Sequence, residues 1–310
     1  MSSLKILINM SELGAGTRGS SLSYESILTA SHKAKSDFFV KNKPDEISNE
    51  NSALFLPVSS PYAKYIDFVS VMYDRISDKV KSTCLDKKIP VIISADHSNA
   101  GGTIAGLSKA YPNEKIGVVW IDAHADLHSP YTTPSGNIHG MPLATALAED
   151  NKSSKLNEVD KNTIEKWDKL KGDSQRVMPE HIIFFGVRDT EKQEDELIER
   201  LNMKIFSVSD VRKKGEKKCV DETLNLLSDC DLIYVSLDVD SLDPEISDGT
   251  GTSVENGFKV TEVKKILSYL SNSSKFSCLE ITEVNPTLDT KGNMMSEVAF
   301  EILEETVFKI

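Results

Sequence analysis

Ile116-Gly117-Val118-Val119-Trp120-Ile121-Asp122-Ala123-His124-Ala125-Asp126 decides how this chain is read. The run Ile116–Ile121 is almost wholly apolar and β-branched, which predicts a parallel strand buried on both faces. Two acids and a histidine fall just past its carboxyl end. A second run, Leu232-Ile233-Tyr234-Val235-Ser236-Leu237, ends in Asp238-Val239-Asp240. Ionised carboxylates gathered at one sheet edge repel one another unless they share protons or cations. With His124 between the first pair, metal is the better explanation. A third group, Asp96-His97, follows the apolar run Pro90–Ser94. In open α/β sheets the ligand crevice lies outside the carboxyl ends of the strands, so all three groups converge there.

Working outward, further strands are expected at Lys5–Asn9, Ala53–Val58, His181–Val187, Lys204–Val208 and Phe276–Ile281. Helical patterns fall between most of them, at Tyr62–Thr83, Asn99–Ala110, Glu191–Leu201, Val220–Ser228 and Thr261–Leu270. Such alternation predicts an α/β fold with a mainly parallel sheet and helices on both faces. A closing helix, Met294 to Phe308, is expected to dock on the sheet. Lys41 to Ser52 is polar and reads as a surface loop. Glu149 to Gln175 is rich in Lys, Asp, Asn and Ser and reads as a surface insertion, with Ile164, Trp167 and Leu170 marking a short amphipathic helix. No repeat or composition break divides the chain, so residues 1–310 are expected to form a single domain.

The composition is that of a soluble protein: 39% hydrophobic and 27% charged residues over 310 positions. A net charge of −12 argues against a nucleic-acid partner. No apolar run reaches the roughly 18 residues that cross a membrane, and Met1 to Met10 lacks the features of a signal peptide. The four scattered cysteines, Cys84, Cys219, Cys230 and Cys278, form no Cys-x-x-Cys pair. A reduced, cytoplasmic protein is expected.

The candidate ligands are His97, His124, Asp122, Asp126, Asp238 and Asp240. They are too many for one tetrahedral zinc, and their oxygen-rich chemistry suits hard divalent ions such as Mn²⁺. Six side chains can hold two such ions if Asp122 and Asp238 bridge them, a centre that activates water near neutral pH. The alternative makes each Asp a turn or helix cap and each His a satisfied polar residue. The coincidence of three strand ends argues against it.

Beyond Asp126, His128-Ser129-Pro130-Tyr131-Thr132-Thr133-Pro134-Ser135-Gly136-Asn137-Ile138-His139-Gly140 reads as a loop. Its short hydrogen-bonding side chains suit a polar substrate head group, and His139 is placed to move protons. Glu280 and Glu283 bracket the end of the last strand, and Glu283 facing the crevice could pair with a guanidinium. Gly14-Ala15-Gly16-Thr17-Arg18-Gly19 matches G-x-G-x-x-G. The acidic residue that a dinucleotide site needs is missing after Asp37-Phe38-Phe39-Val40, where Lys41-Asn42-Lys43 follow. The glycines read better as a tight loop edging the crevice.

Taken together, Asp96-His97-Ser98, Asp122 to Asp126, Ser236 to Pro244 and Glu283-Val284-Asn285-Pro286 resemble the signatures of the ureohydrolases. That family includes arginase, agmatinase and formiminoglutamase, and the loop Thr133 to Pro142 resembles the arginase branch. The resemblance runs from about Pro90 to the C-terminus. It implies a three-layer α/β/α fold on a parallel eight-stranded sheet, two Mn²⁺ per subunit, and a trimer or hexamer. One ion would take His97, Asp122, Asp126 and Asp238; the other would take His124, Asp122, Asp238 and Asp240. It further implies hydrolysis of a small guanidino substrate, L-arginine, to L-ornithine and urea by a metal-bridging hydroxide. His139 aligns with the proton shuttle, Asp126 with the aspartate that orients the hydroxide and Glu283 with the guanidinium-binding glutamate. Thr133, Ser135 and Asn137 match positions that read the α-carboxylate.

Two departures stand out. His128 replaces an asparagine usual in arginases, and Glu191 in Arg188-Asp189-Thr190-Glu191 replaces an aspartate that contacts the α-amino group. They reshape the amino-acid end of the pocket and leave agmatine, a guanidino acid or formiminoglutamate as alternative substrates. A catalytically silent binding protein would be expected to lack ligands, and none of the six is missing.

Overall fold

The computed structural model describes residues 3–307. Eight strands form one sheet: β1 Ser3–Asn9, β2 Asp45–Ile47, β3 Lys88–Ser94, β4 Ile116–Ile121, β5 Ile182–Phe185, β6 Lys204–Phe206, β7 Leu232–Asp238 and β8 Phe276–Thr282. Their order is β2-β1-β3-β8-β7-β4-β5-β6, and every pairing is parallel. Period-two alternation divides the sheet's side chains between two cores. Ile6, Ile8, Val91, Ile93, Val119, Ile121, Val235 and Leu237 pack under the helices Ser23–Lys33, Glu216–Leu226, Val260–Ser271 and Met294–Val307. Leu7, Ile92, Val118, Trp120, Tyr234 and Cys278 pack under Ile66–Leu85, Ala100–Ala110, Pro142–Leu147, Lys161–Lys171 and Lys192–Arg200. The result is the expected three-layer α/β/α arrangement. Both faces are covered, which is why the central strands read as continuous apolar runs.

The strand order brings together what the chain separates. β3, β8, β7 and β4 are consecutive across the sheet, so Asp96-His97, Glu283, Asp238–Asp240 and Asp122–Asp126 leave from four adjacent carboxyl ends.

Two expectations are corrected. Ala53–Val58 is no strand: Asn51–Phe55 is a 3₁₀ turn, and Phe55, Leu56 and Val58 are exposed. The edge strand is instead β2, inside the polar stretch expected to be a loop. It reads as a loop because an edge strand has only one neighbour, and Asp45 is held there by ion pairs to Lys5 (2.6 Å) and Lys79 (2.7 Å). Those two ammonium groups hold the Asp45 carboxyl down at about 2. A dinucleotide site would need Asp37-Phe38-Phe39-Val40 as its second strand; instead Phe38–Lys41 is one helical turn that buries both phenylalanines. The closing helix runs as expected from Met294, and Phe308 lies outside the described residues.

Residues 149–175, expected to be a surface insertion with a short amphipathic helix, contain that helix and are tied to the body. Asp160 caps the helix Lys161–Lys171 by accepting from Thr163 N, and Trp167 is fully buried. The Trp167 indole donates to Asp150 at 2.8 Å, and Lys171 and Lys152 pair with the same carboxylate. Burial would raise the Asp150 carboxyl, but hydrogen bonds from Lys152, Lys171 and Trp167 outweigh it and hold the group below the usual carboxylate range. A depressed folded-state pKa contributes stability above the unfolded value, and that contribution is lost as pH falls through the folded value. Asp150→Asn is therefore expected to cost about 1–2 kcal/mol near pH 7. Urea unfolding at pH 7 and pH 3 should show that deficit shrinking in acid; an equal deficit at both would refute the account.

Candidate metal centre

β4 ends at Ile121, and the chain then turns so that Asp122 places one carboxylate oxygen toward each of two histidines. Asp122 Oδ2 lies 3.0 Å from His97 Nδ1, and Asp122 Oδ1 lies 3.5 Å from His124 Nδ1. Around His97 Nδ1 stand Asp126 Oδ2 at 3.0 Å and Asp238 Oδ2 at 3.1 Å. Asp240 Oδ2 lies 3.0 Å from His124 Nδ1. All six predicted ligands thus meet at one place, in two groups sharing Asp122: His97 with Asp122, Asp126 and Asp238, and His124 with Asp122 and Asp240.

Local backbone chemistry sets these positions. Asp122 Oδ1 accepts from His124 N at 2.7 Å, and Asp238 Oδ1 accepts from Asp240 N at 2.8 Å, so each strand end folds back on its own first acid. Asp240 Oδ1 accepts from Ala123 N at 3.1 Å and locks the β7 turn to the β4 turn. Asp126 and Glu283 both hold left-handed backbone, with φ of 53° and 66°. Non-glycine residues adopt that conformation at a cost and only where the surroundings demand it. His97 is fixed by its other nitrogen: Nε2 lies 2.7 Å from Ser236 Oγ, and the ring stacks on Trp120 at 4.0 Å. With Nε2 donating to the hydroxyl, the Nδ1 lone pair faces the three carboxylates.

The residues fit divalent cations on an observation of their own. His97 Nδ1 and Asp122 Oδ2 are buried side-chain atoms without a hydrogen-bond partner. Orphaned buried polar atoms are costly, and a cation between imidazole nitrogen and carboxylate oxygens satisfies both. The electrostatics agree. Burial and the charges of Asp240 and Asp122 push the Asp238 carboxyl well up. Burial and the Asp122 charge push Asp126 to about 6. Burial works against the His97 and His124 imidazoliums, but the carboxylates outweigh it and raise both. Such a cluster calls for positive charge.

Above it opens a cavity of about 420 Å³ whose walls include His97, His124, Asp126, Asp238 and Asp240 on one side and Thr133, Ser135, Asn137 and His139 on another. Thr133 Oγ1 accepts from Gly136 N at 2.9 Å and Ser135 Oγ from Asn137 N at 3.2 Å, which shapes the loop. Glu283 lies just beneath the wall: Oε1 accepts from His97 N at 2.9 Å and sits 3.3 Å from His139 Nδ1, while Oε2 lies toward Gly251. Burial lowers the His139 imidazolium, but the Glu283 hydrogen bond and charge outweigh it and push it up to about 9.

The two departures meet each other. His128 Nε2 lies 2.9 Å from Glu191 Oε2, and His128 Nδ1 lies 3.1 Å from Thr132 Oγ1. Glu194, which the sequence reading missed, joins them: it is buried, 3.5 Å from His128 Nε2, and accepts from Leu127 N at 3.0 Å. Burial pushes its carboxyl up to about 8. Its signal was the spacing Glu191-x-x-Glu194 at a helix start, where Glu194 accepts from Glu191 N. Also missed were Ser236, two residues before Asp238 on the same strand face, and Asp189, 3.6 Å from His124 Nε2. Glu280 does not reach the crevice; it is buried in the sheet, accepting from Ser94 Oγ and from the Tyr234 hydroxyl at 2.8 Å. The Gly14–Gly19 loop edges the crevice as expected. Gly14 N donates to Asp96 Oδ2 at 2.9 Å, and Gly14 O accepts from His139 N at 3.1 Å.

A parallel sheet with an acidic, histidine-bearing cluster at its switch point, roofed by a donor-rich loop, defines a class of hydrolytic metalloenzyme. Residues 6–309 match the model of the arginase family, and the chain belongs to that family. It is 35% identical over 246 residues to an arginase of Bacillus subtilis, covering 79% of this chain and 78% of the relative. An arginase of Staphylococcus aureus is 36% identical over 221 residues, 71% of this chain and 68% of its own. The solved structure of arginase from Bacillus caldovelox superposes with a TM-score of 0.84 at 28% identity, over 99% of this chain and 98% of that one.

Divalent cation added to metal-stripped protein should raise the melting temperature, by about 2.7 kcal/mol of stabilisation at a hundredfold excess over Kd. Asp122→Asn should abolish most of that rise, as seen by scanning fluorimetry with and without added Mn²⁺. A full rise in the variant would contradict a shared ligand.

Proposed function

We propose that this protein hydrolyses L-arginine to L-ornithine and urea. The observation that carries the reading is Asp122, with one oxygen toward His97 and the other toward His124, beneath a pocket roofed by Thr133, Ser135, Asn137 and His139. Membership of the arginase family supports it. Two Mn²⁺ ions are the proposed cofactor: His97, Asp122, Asp126 and Asp238 would hold one, and His124, Asp122, Asp238 and Asp240 the other. Bound there, a pair of divalent cations makes water acidic enough to supply a nucleophile near neutral pH.

The protein's own groups then divide the work. Glu283 pairs with the guanidinium and turns its carbon toward the metal centre. Asp126 accepts a hydrogen bond from the attacking water and orients it. His139, charged near neutral pH because Glu283 stands beside it, delivers a proton to the departing amine. Thr133, Ser135 and Asn137 donate to the α-carboxylate, and His128 and Glu191 border the α-amino end.

The mutual engagement of His128 and Glu191 favours a second reading, in which the substrate is another guanidino compound with a weaker claim on the amino end. Release of urea from arginine, agmatine and guanidinobutyrate, and of formamide from formiminoglutamate, by the Mn²⁺-loaded protein separates the two. Arginine should be fastest, and His139→Asn should lower kcat about 10²–10⁴-fold. Fast agmatine turnover without arginine turnover would reject the first reading.

The protein is further proposed to be a cytoplasmic homo-oligomer, a trimer or hexamer. Buried, unpaired Cys84, Cys219, Cys230 and Cys278 fit a reducing compartment. Among the described residues no helix is long and apolar enough to cross a membrane. Sedimentation equilibrium checks the assembly: a monomer at micromolar concentration would refute it.

A further inference from the structure

We infer that Lys64, outside the motifs and outside the cavity wall, is a positioning residue that makes the pocket select substrates bearing a carboxylate. The inference rests on the proposed arginine-hydrolysing function and adds a specificity element to it. Lys64 lies in the loop that leads into the helix Ile66–Leu85. Its ammonium donates to Asn137 Oδ1 at 3.0 Å. Its backbone N donates to Gly136 O at 2.9 Å, so the same residue grips the substrate loop twice.

The consequence for Asn137 follows from donor and acceptor chemistry. A lysine ammonium has three donors and no acceptor, so the amide must turn its oxygen toward Lys64. The NH₂ group is then the face left for the pocket, whose wall includes Asn137. An amide without such a partner can turn half a circle at little cost in shape, because its two ends are nearly isosteric. The flipped amide would set a carbonyl oxygen against the substrate carboxylate, and two acceptors repel.

The surroundings keep Lys64 and Asn137 in register. At the end of the amide away from Lys64, a β-carbon at Gly16, which shares the cavity wall, would come within 2.8 Å of Nδ2, so the absence of a side chain at Gly16 leaves room for the NH₂ group. Gly136, at φ +76°, passes so near the Pro61 carbonyl that a β-carbon there would sit 1.9 Å from its oxygen. The substrate loop and the Lys64 loop are therefore locked backbone to backbone. Charge adds to the effect. The rest of the cavity wall holds Asp126, Asp189, Glu191, Glu194, Asp238 and Asp240. Lys64 places a cation behind the wall that must receive an anion.

The test compares kcat/KM for L-arginine and for agmatine, which lacks the carboxylate, using full-length Mn²⁺-loaded wild type, Lys64→Met and Lys64→Arg. Lys64→Met should raise KM for arginine about ten-fold and leave kcat within about two-fold, the loss of one charge-assisted hydrogen bond. Agmatine kinetics should stay unchanged, so the arginine-to-agmatine ratio falls about ten-fold. Lys64→Arg, whose guanidinium donates to the same oxygen, should restore the ratio. Each ratio is taken within one preparation, so any misfolded fraction cancels. An unmoved ratio, an equal loss for both substrates, or a low ratio that persists in Lys64→Arg would overturn the inference. A wild type that prefers agmatine would instead sink the function reading, and the role of Lys64 with it.

Discussion

Asp122 is the constraint on which the rest of the molecule depends. One fully buried carboxylate faces two imidazoles with its two oxygens, and it does so because β4 stops at Ile121 and the His124 amide folds back onto it. Burying four carboxylates and two histidines together is prohibitive without compensating charge. Much of the architecture around them supplies the remaining compensation. Ser236 orients His97, Ala123 N and Asp240 N restrain the acids, and Thr252 donates to Asp240 Oδ2 at 3.0 Å.

Rigidity beneath this cluster comes from the sheet. β3, β8, β7 and β4 are buried on both faces, and their side chains belong to two separate cores. A cluster seated on four packed strand ends cannot relax by moving one loop. The left-handed backbone at Asp126 and Glu283 is held by the same means. The surface proposed to read the substrate is different in kind, since it sits on a loop held by other loops: Gly14 O on His139 N, and Lys64 on Gly136 and Asn137. On the proposed reading, metal chemistry is built at strand ends and recognition on loops, which lets recognition vary while the centre stays put. The His128–Glu191–Glu194 group is such a variation.

The six residues proposed as metal ligands were legible in the sequence because each strand end announces itself: an apolar run followed at once by acids and histidine. Period-two alternation also places Ser236 on the same strand face as Asp238. β2 was illegible for a physical reason. An edge strand with one hydrogen-bonding neighbour needs no apolar run, and Asp45 is kept there by Lys5 and Lys79. Ala53–Val58 misled in the opposite direction, since its large apolar residues are exposed and make no core. The helix around Trp167 was legible from spacing, whereas its anchoring through Asp150 was not.

By itself the sequence determined the layered α/β class, the six polar groups at strand ends and the donor-rich loop, because periodicity and local chemistry are written in neighbouring residues. Only the tertiary structure decided that strands starting at residues 88, 276, 232 and 116 lie side by side, which gathers those groups at one point. It alone paired His128 with Glu191 and brought Lys64 to Asn137. Contacts between residues 63 and 73 positions apart follow from strand order and loop packing, which no local pattern encodes.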